Sequence, residues 1–313
     1  MPFMALLFLW ACSESSTEEL VSQSEKNAVV RFDVQLMSEV LPFPATKSIP
    51  ALDIPEPADG KGEEESVPQD KELADFCNTI EYILFREEES GLSFYKRKTF
   101  TPQDEDFSIV YDTLARGTYH ICFVAHSSGD VTLDGQQLRF GDVGDTFYKQ
   151  LPLTVRTSDE VNRHIELERI VSRVEFMSRD LVPEEASRFD MDITHWSNAF
   201  DLLSGIGVPA AEKKSFSHSF VPEEKGKENM IHSFYTFVPG EGTTLEAELA
   251  ALGEGEQVLR DRTVRGITPY RNKIIRYKGL LYSWSDSEET FQLEIFNNGE
   301  WEEVQEDELP DRE

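Results

Sequence analysis

The chain has 313 residues, and its 60 acidic residues outnumber its 30 Lys and Arg, which gives a formal net charge of −30 at pH 7. This charge argues against nucleic acid or an anionic lipid surface as an electrostatic partner, because either would repel the protein. The length is too great for a typical single hydrophobic core and predicts two domains of about 150 residues each.

Residues 1–12 resemble a bacterial secretory signal that ends in a lipidation site. The apolar run at residues 3–10 is too short to span a bilayer, and Leu9 and Ala11 precede Cys12 as in a lipobox, although Trp10 is bulky and no Lys or Arg comes first. In such signals the cysteine receives a diacylglycerol, becomes the first mature residue and is acylated again, for example with palmitate. The resemblance implies a lipid anchor on Cys12. An ordinary signal peptide and a buried N-terminal strand are the alternatives.

Residues 13–26 are predicted to form a flexible acidic tether. Their first part, residues 13–19, is polar and resembles the acidic export tag that follows the lipidated cysteine in surface lipoproteins of Bacteroidales. This resemblance implies an outer-membrane lipoprotein that is exposed at the cell surface.

Alternating apolar and polar residues predict a first strand at residues 28–36, AVVRFDVQL. Residues 41–75 contain six prolines and little periodicity, so we expect a long exposed loop there. Two alternating runs at residues 79–86 and 92–100, separated by a Ser-Gly turn, then predict a hairpin.

Residues 114–125, LARGTYHICFVA, contain the most informative local pattern of this half. Gly117 supplies a turn, and Tyr119, Ile121 and Phe123 then alternate. The pattern resembles the G-x-Y strand entry of transthyretin-like β-sandwiches. Further short strands predicted at residues 131–133, 137–140 and 147–155, without helical periodicity, favour an all-β sandwich.

Four aspartates lie in the turns of this region, namely Asp130, Asp134, Asp142 and Asp145. Their spacing lacks the alternation of a calcium loop. We therefore interpret them as turn residues and expect no metal site.

Residues 164–176, HIELERIVSRVEF, mark a change near the middle of the chain. Ile165 and Leu167 share one face of a strand, whereas Ile170, Val174 and Phe176 fall in the opposite phase. A bulge within one sheet explains such a change, and so does a chain that leaves one core and enters another. The second explanation predicts two domains at residues 27–164 and 165–301, followed by an acidic tail at residues 302–313.

The second half repeats the pattern of the first. Alternating stretches separated by Pro or Gly predict strands, and they read FDMDI, SFSHSF, IHSFYTFV, TLEAELAAL, KIIRYKGLLY and FQLEIF. TLEAELAAL also fits a helix, because Leu245, Leu249 and Leu252 share a helical face, but we predict a strand. The last strand runs toward Trp301.

No motif in the sequence predicts an enzyme. HExxH, GxSxG, Walker and CxxC patterns do not occur, and the six His are scattered singly. His195-Trp196-Ser197 and His218 are the nearest to a catalytic site, but single histidines on strand-rich segments are more often structural. We expect no catalytic residue and no cofactor.

Two cysteines remain once Cys12 is lipidated. Cys77 and Cys122 form either a disulfide or two free thiols. Cys122 is opposite in phase to Ile121 and Phe123, so the pattern does not identify its partner.

The order of features resembles the fimbrial anchor and minor-subunit family of Bacteroidales, relatives of the major fimbrillins of Porphyromonas. The lipobox and G-x-Y strand are followed by DTFYKQLPLTV, ELERIVSRVEF, FDLLSG, YRNKIIRYKGLLYS and a terminal Trp strand. The resemblance implies two transthyretin-like β-sandwiches in tandem. It also implies a lipid anchor in the outer membrane and a structural role at the base or in the accessory part of a fimbria.

One departure from this family bears on the role. Fimbrillins of this type mature by cleavage after an Arg in the loop behind the first strand, which vacates a groove for a neighbour's strand. Here no Arg occurs between Arg31 and Arg86. This favours a non-polymerising anchor, although Lys47, Lys61 and Lys71 leave cleavage by a Lys-specific protease open.

The predicted function is therefore that of an anchor or accessory subunit that attaches a fimbria, controls its length and contacts other fimbrial subunits through strand pairing. A surface glycan-binding lipoprotein or a fimbrial tip adhesin is the alternative. A glycan binder is expected to cluster exposed Trp or Tyr, whereas Trp196, Trp284 and Trp301 lie far apart in the sequence.

Overall fold

The computed structural model describes residues 27–37, 73–104, 107–157, 159–284, 290–297 and 300–301, and strands dominate this part of the chain. The all-β prediction is confirmed. Cys12, the predicted tether and tail, and most of the predicted loop at residues 41–75 lie outside the described residues.

The strands of the first half follow the alternation of the sequence closely. They are β1 (Ala28–Leu36), β2 (Thr79–Glu88), β3 (Gly91–Phe100), β4 (Ile109–Leu114), β5 (Gly117–His126), β6 (Val131–Asp134), β7 (Gln137–Phe140), β8 (Thr146–Val155) and β9 (Glu160–Arg169). A short 3-10 helix, Leu73–Asp75, precedes β2.

The second half contains the remaining strands. They are β10 (Val171–Ser178), β11 (Ala186–Thr194), β12 (Ser197–Asp201), β13 (Ile206–Pro209), β14 (Lys214–Ser219), β15 (Ile231–Phe237), β16 (Leu245–Gly253), β17 (Val258–Ile267), β18 (Lys273–Gly279), β19 (Gln292–Asn297) and β20 (Glu300–Trp301). TLEAELAAL is a strand, β16, as predicted. Two 3-10 helices, Pro222–Glu224 and Glu254–Glu256, lie in loops.

The first sandwich packs β4-β1-β9 against β3-β2-β5-β8, and the two layers join where β8 pairs with the end of β9. β1 runs antiparallel to β4 and parallel to β9. The inward side chains of β1 alternate in the sequence and meet Tyr82 and Phe123 in the core, where the Phe32 and Phe123 rings are 5.2 Å apart. Burial of this alternating face holds the layers together.

The second sandwich repeats the first strand for strand. β10, β11, β14, β15, β16, β17 and β18 correspond to β1, β2, β3, β4, β5, β8 and β9. They reproduce the pairings within each layer, including the parallel pair, which is now β10 with β18, but β17 and β18 belong to separate sheets, whereas β8 pairs with β9. The second sandwich also gains β19, which pairs with the free side of β18. Each sandwich is therefore one copy of the same seven-strand unit.

The change of phase near residue 169 separates the two sandwiches. Ile165 and Leu167 lie in the first core, and Ile170, Val174 and Phe176 lie in the second. The domain boundaries from the sequence stay a prediction, and the strand pattern favours a junction at Ile170, because β9 pairs within the first sandwich as far as Arg169.

An insertion in each unit builds a sheet between the sandwiches, which we call the shared sheet. β6 and β7 lie between β5 and β8, whereas β12 and β13 lie between β11 and β14, and β7 pairs with β12. The strands β6 and β7 were predicted correctly but do not belong to the first sandwich. β12 and β13 were not predicted.

The shared sheet lies on one continuous apolar core. Ile83, Cys122 and Tyr148, on the outer face of the first sandwich, belong to the same buried cluster as the core of the second. Phe200 of β12 is 4.8 Å from the Tyr148 ring and 5.4 Å from the Phe237 ring. The two sandwiches are therefore joined by aromatic packing as well as by backbone hydrogen bonds.

Candidate functional site

Three of the catalytic candidates from the sequence, His195, Trp196 and Ser197, make structural contacts. His195 has a φ of 63°, and its Nδ1 lies 3.1 Å from the carbonyl oxygen of Thr244. The Trp196 indole donates to the carbonyl oxygen of Tyr235 at 2.7 Å, and the Ser197 amide donates to the Thr236 hydroxyl at 3.1 Å. These bonds fasten the start of β12 to β15.

The four aspartates are dispersed. Asp145 accepts two bonds from Arg169, at 2.6 and 2.8 Å, and Asp142 lies 2.7 Å from Lys214. Asp130 has a φ of 48°, as turn residues often do. Among the described residues, no group of three or more His, Cys, Asp or Glu is placed to hold a metal ion.

Cys77 and Cys122 are free thiols in different cores. The Cys77 thiol donates to the Leu73 carbonyl at 3.2 Å, and the Cys122 thiol donates to the Leu202 carbonyl at 3.6 Å. Burial raises the pKa of each thiol to about 12. Of the two possibilities left open by the sequence, the structure selects the free thiols.

Open strand edges are therefore the main candidates for function, and the first sandwich closes one of its two sides with charge. The Lys96 and Lys98 ammonium groups of β3 lie 3.0 and 2.7 Å from the carboxylate of Asp112 on β4. Burial raises the pKa of Asp112, but hydrogen bonds from the two lysines outweigh it and lower that pKa below its usual value. Ion pairs thus bridge the two edge strands.

The matching side of the second sandwich is a cleft of about 660 Å³ between β14 and β15, which we call the β14–β15 cleft. Its volume lies within the roughly 300–1,000 Å³ typical of ligand sites. Apolar and polar side chains line it in equal number. The lining residues are Phe189, Met191, Phe216, Ser217, His218, Glu224, Met230, Ile231, His232 and Ser233.

Two histidines from opposite layers lie in this cleft. His232 of β15 is buried, stacks on Phe189 at 4.1 Å between ring centroids, and places Nε2 2.8 Å from the Tyr282 hydroxyl. Burial, with a smaller effect from His218, lowers the pKa of His232 to about 3, so this ring is neutral at physiological pH. His218 of β14 is half-buried, with Nε2 3.0 Å from a Glu224 carboxylate oxygen.

Both ends of the β14–β15 cleft are fixed by side chains. At one end Phe216 of β14 stacks on Phe234 of β15, with ring centroids 5.4 Å apart and planes inclined by 22°. At the other end Glu224 accepts a 3.0 Å bond from the Val221 amide, which anchors the loop between the strands. A ring contact thus bridges the cleft at one end, and a hydrogen bond fixes the loop at the other.

On the other side of each sandwich, the first sandwich is the open one and the second is covered. In the first, β8 and β9 pair only at Phe147–Arg169 and Tyr148–Glu168 and then diverge around a smaller cleft of about 230 Å³. In the second, β19 covers the corresponding edge of β18.

Arg169 fixes the junction between the sandwiches. Its buried guanidinium donates hydrogen bonds to the Asp145 carboxylate of the first sandwich. It also donates, at 2.8 Å, to the side-chain amide oxygen of Asn272, which lies in the turn before β18. It also lies 5.1 Å from the centre of the Phe147 ring. A single side chain thus connects both units where the chain passes between them.

The sequence did not indicate the β14–β15 cleft. The alternation in SFSHSF places Phe216 and His218 on one face of β14, which was predicted. Their neighbours on β15 come from the other layer of the sandwich, and no local pattern shows which strands face each other across two layers. The shared sheet was missed for a related reason, because β12 and β13 are short.

Comparison with known families gives one match. Residues 106–303, more than half of the chain, match the model of DUF6562, a family of unknown function. A search of curated proteins finds no match. Within the described ranges, no helix has both the length and the apolar character needed to cross a membrane.

Several solved structures are similar to the chain at low identity. The fimbrial anchor protein Mfa2 from Porphyromonas gingivalis has 11% identity and a TM-score of 0.47, over 86% of this chain and 97% of that one. A candidate polysaccharide-binding protein from Bacteroides thetaiotaomicron has 11% identity and a TM-score of 0.47, over 90% and 99%. A fimbrial assembly protein from Parabacteroides distasonis has 11% identity and a TM-score of 0.43, over 90% and 100%. Fimbrial anchor and assembly proteins are among these structures.

Proposed function

Because the chain belongs to DUF6562, a family of unknown function, we propose its role from its own residues: it is an outer-membrane lipoprotein that serves as an anchor or accessory subunit of a surface fimbria. Lipid on Cys12 holds it in the membrane, and strand pairing joins it to other subunits. The order of sequence motifs described above supports the fimbrial part of this proposal.

The position of β1 is the observation that carries the proposal. β1 is paired on both sides, with β4 and β9, and the side chains of Val30, Phe32 and Val34 are fully buried. Each such side chain contributes about 1.5–3 kcal/mol of burial. A subunit that keeps this strand has no vacant groove there for a neighbour's strand, so it ends a polymer rather than extending it.

The contacts between the sandwiches support a load-bearing role. The pairing of β7 with β12, the aromatic core beneath it and the Arg169 bonds all cross the junction. Force applied to the second sandwich by a fibre therefore passes through paired strands to the first sandwich and the N-terminal lipid. Strands that separate only together give a slow off-rate.

Deletion of the gene tests the proposal. We expect fimbriae that are shed into the medium or abnormally long. The wild-type gene restores attachment, whereas a Cys12→Ala form does not, because it lacks the thiol that carries the lipid. Fatty-acid labelling of both forms checks the modification directly. Cell-attached fimbriae of normal length in the deletion strain contradict the anchor role and favour a tip adhesin or a glycan-binding lipoprotein.

A further inference from the structure

The edge strands of the two sandwiches differ in how they are protected against pairing with another chain. Natural edges carry charges, prolines or bulges that discourage a further strand. β3 has consecutive basic residues at its centre and a bulge at Tyr95, and β17 has four charged residues and two register shifts. β14, KSFSHS, pairs with β11 without a register shift and has no charged residue or proline after Lys214.

The free side of β14 presents a regular row of backbone groups. The Phe220 amide donates to the Ser187 carbonyl at 2.9 Å, which fixes the phase of the antiparallel pairing. Because hydrogen-bonded pairs alternate along such a ladder, the amides and carbonyls of Ser215, Ser217 and Ser219 point away from β11. Within the described residues, β14 has no strand partner on that side.

The β14–β15 cleft lies directly beside this edge. Phe216 and His218, which alternate with the three serines, line it together with Phe189, Met191 and Met230. A strand added to β14 would place every second side chain in the same layer, next to these apolar residues. The corresponding side of the first sandwich is bridged by ion pairs to Asp112.

Charge restricts the chemistry of the added strand. Asp190 and Asp192 lie on the outer face next to this edge and accept bonds from Ser217 at 2.6 Å and Ser215 at 2.5 Å. Glu224 stands at the rim of the cleft. Acidic side chains at either set of positions would be repelled, so neutral or basic residues on the outer face and apolar residues toward the cleft fit best.

We propose that the free edge of β14 binds an extended segment of a fimbrial partner, which becomes a fifth strand of the β17-β16-β11-β14 sheet. The segment has about six residues, with apolar side chains at alternate positions that enter the β14–β15 cleft. This proposal rests on the proposed function and identifies the surface that holds the fibre.

Hydrogen exchange of the full chain tests the edge directly. The probe is fimbriae sheared from a strain that lacks this gene. We expect the amides of Ser215, Ser217 and Ser219 to exchange rapidly in the isolated protein and slowly in the presence of these fimbriae, because a new ladder protects them. Amides on the free edge of β17 are the internal control and are expected to exchange equally in both samples.

A proline variant removes one outward donor. Ser217→Pro loses an amide that β11 does not use, and Ser217→Val is the matched control, because it also loses the hydroxyl but keeps the amide. We expect Ser217→Pro to retain sheared fimbriae on the order of tenfold more weakly than Ser217→Val does. Circular dichroism checks the fold of both, and if the proline variant does not fold, the hydrogen-exchange result decides.

The outcomes separate this proposal from the function on which it rests. Bound fimbriae that leave the three serine amides unprotected overturn the edge proposal but not the fimbrial role. Protection of these amides in the isolated chain overturns it too, because another segment or a second copy then occupies the edge. If sheared fimbriae do not bind and the deletion strain has normal attached fimbriae, the fimbrial role itself fails.

Discussion

In the first sandwich, Lys96 and Lys98 hold Asp112 and bridge β3 to β4, whereas in the second sandwich the same side is an open cleft of about 660 Å³ between β14 and β15. On the other side of each sandwich the relation is reversed. There β19 covers β18 in the second sandwich, whereas in the first β8 and β9 separate after two residue pairs. Within each layer, the seven shared strands have the same order in both units. A few side chains and one added strand therefore decide which side of each sandwich is open.

This difference shows how one repeated unit acquires two different edges. Pairing within each unit buries the alternating apolar faces, and this requirement is the same in both copies. The edge strands do not need to bury an apolar face in this way, so their sequences differ between the copies. Charges on β3 close one side of the first sandwich, and the serine-rich β14 leaves the same side of the second open. The insertions on β5–β8 and β11–β14 then fix the open copy to the closed one.

The largest effect is expected at the shared sheet. Phe200→Ala removes a ring that packs on Tyr148 and Phe237 across the junction, so we expect a loss of about 3–5 kcal/mol in the free energy of unfolding. Denaturant unfolding measures it, with Phe94→Ala, at a half-exposed ring on β3, as the control. Equal stability of the two variants would show that the sandwiches are not energetically coupled through β12.

The Arg169 bonds are expected to contribute nearly as much. Arg169→Ala leaves the Asp145 carboxylate without its two hydrogen bonds and the Asn272 amide without its donor, at a cost of about 3 kcal/mol. Arg163→Ala, an exposed change on the same strand, is the control. A double-mutant cycle with Asp145→Ala isolates the pair, and additive losses would mean that the two side chains do not act together.

The sequence predicts elements better than their neighbours. Alternation predicted β1 correctly, and it also predicted β16 as a strand where a helix was the alternative. It succeeds because every second residue of a strand lies on the buried face, so the pattern is visible within a short stretch of sequence. The opposite phases of Ile165 and Val174 marked the change of core for the same reason. The pairing of Leu138 with Phe200 joins residues far apart in two short strands. Nothing local specifies that register, and the β14–β15 cleft depends on packing between layers.

Glu81 provides a smaller, pH-dependent effect specific to the first sandwich. Burial raises its pKa, but hydrogen bonds from Arg97 and Thr99 and the charge of Arg97 outweigh burial and lower that pKa to about 2 from 4.5. A lowered carboxyl pKa stabilises the fold above pH 4.5, and this contribution is lost as the pH falls toward 2. Glu81→Gln is expected to cost about 1.5–3 kcal/mol at neutral pH.

The measurement is the free energy of unfolding between neutral pH and the acid limit. The difference between wild type and Glu81→Gln is expected to shrink below pH 4.5, because the wild-type carboxylate then becomes protonated on unfolding. Glu87→Gln, at an exposed position on the same strand, is the control. A difference that stays constant across this range would assign the loss to packing rather than to charge.

The smallest expected effect tests the comparison of the two sides most directly. Asp112→Asn keeps the shape of the side chain but removes the charge that holds Lys96 and Lys98. Both lysines are partly exposed, so we expect a loss of only about 1 kcal/mol. Glu248→Gln, which breaks the exposed ion pair with Lys213 in the second sandwich, is the control.

Hydrogen exchange of Asp112→Asn is the sharper measurement, because the variant is expected to speed exchange along the edges of β3 and β4 while β14 and β15 stay unchanged. Unchanged exchange at β3 and β4 would show that backbone packing, rather than the ion pairs, keeps the first sandwich closed.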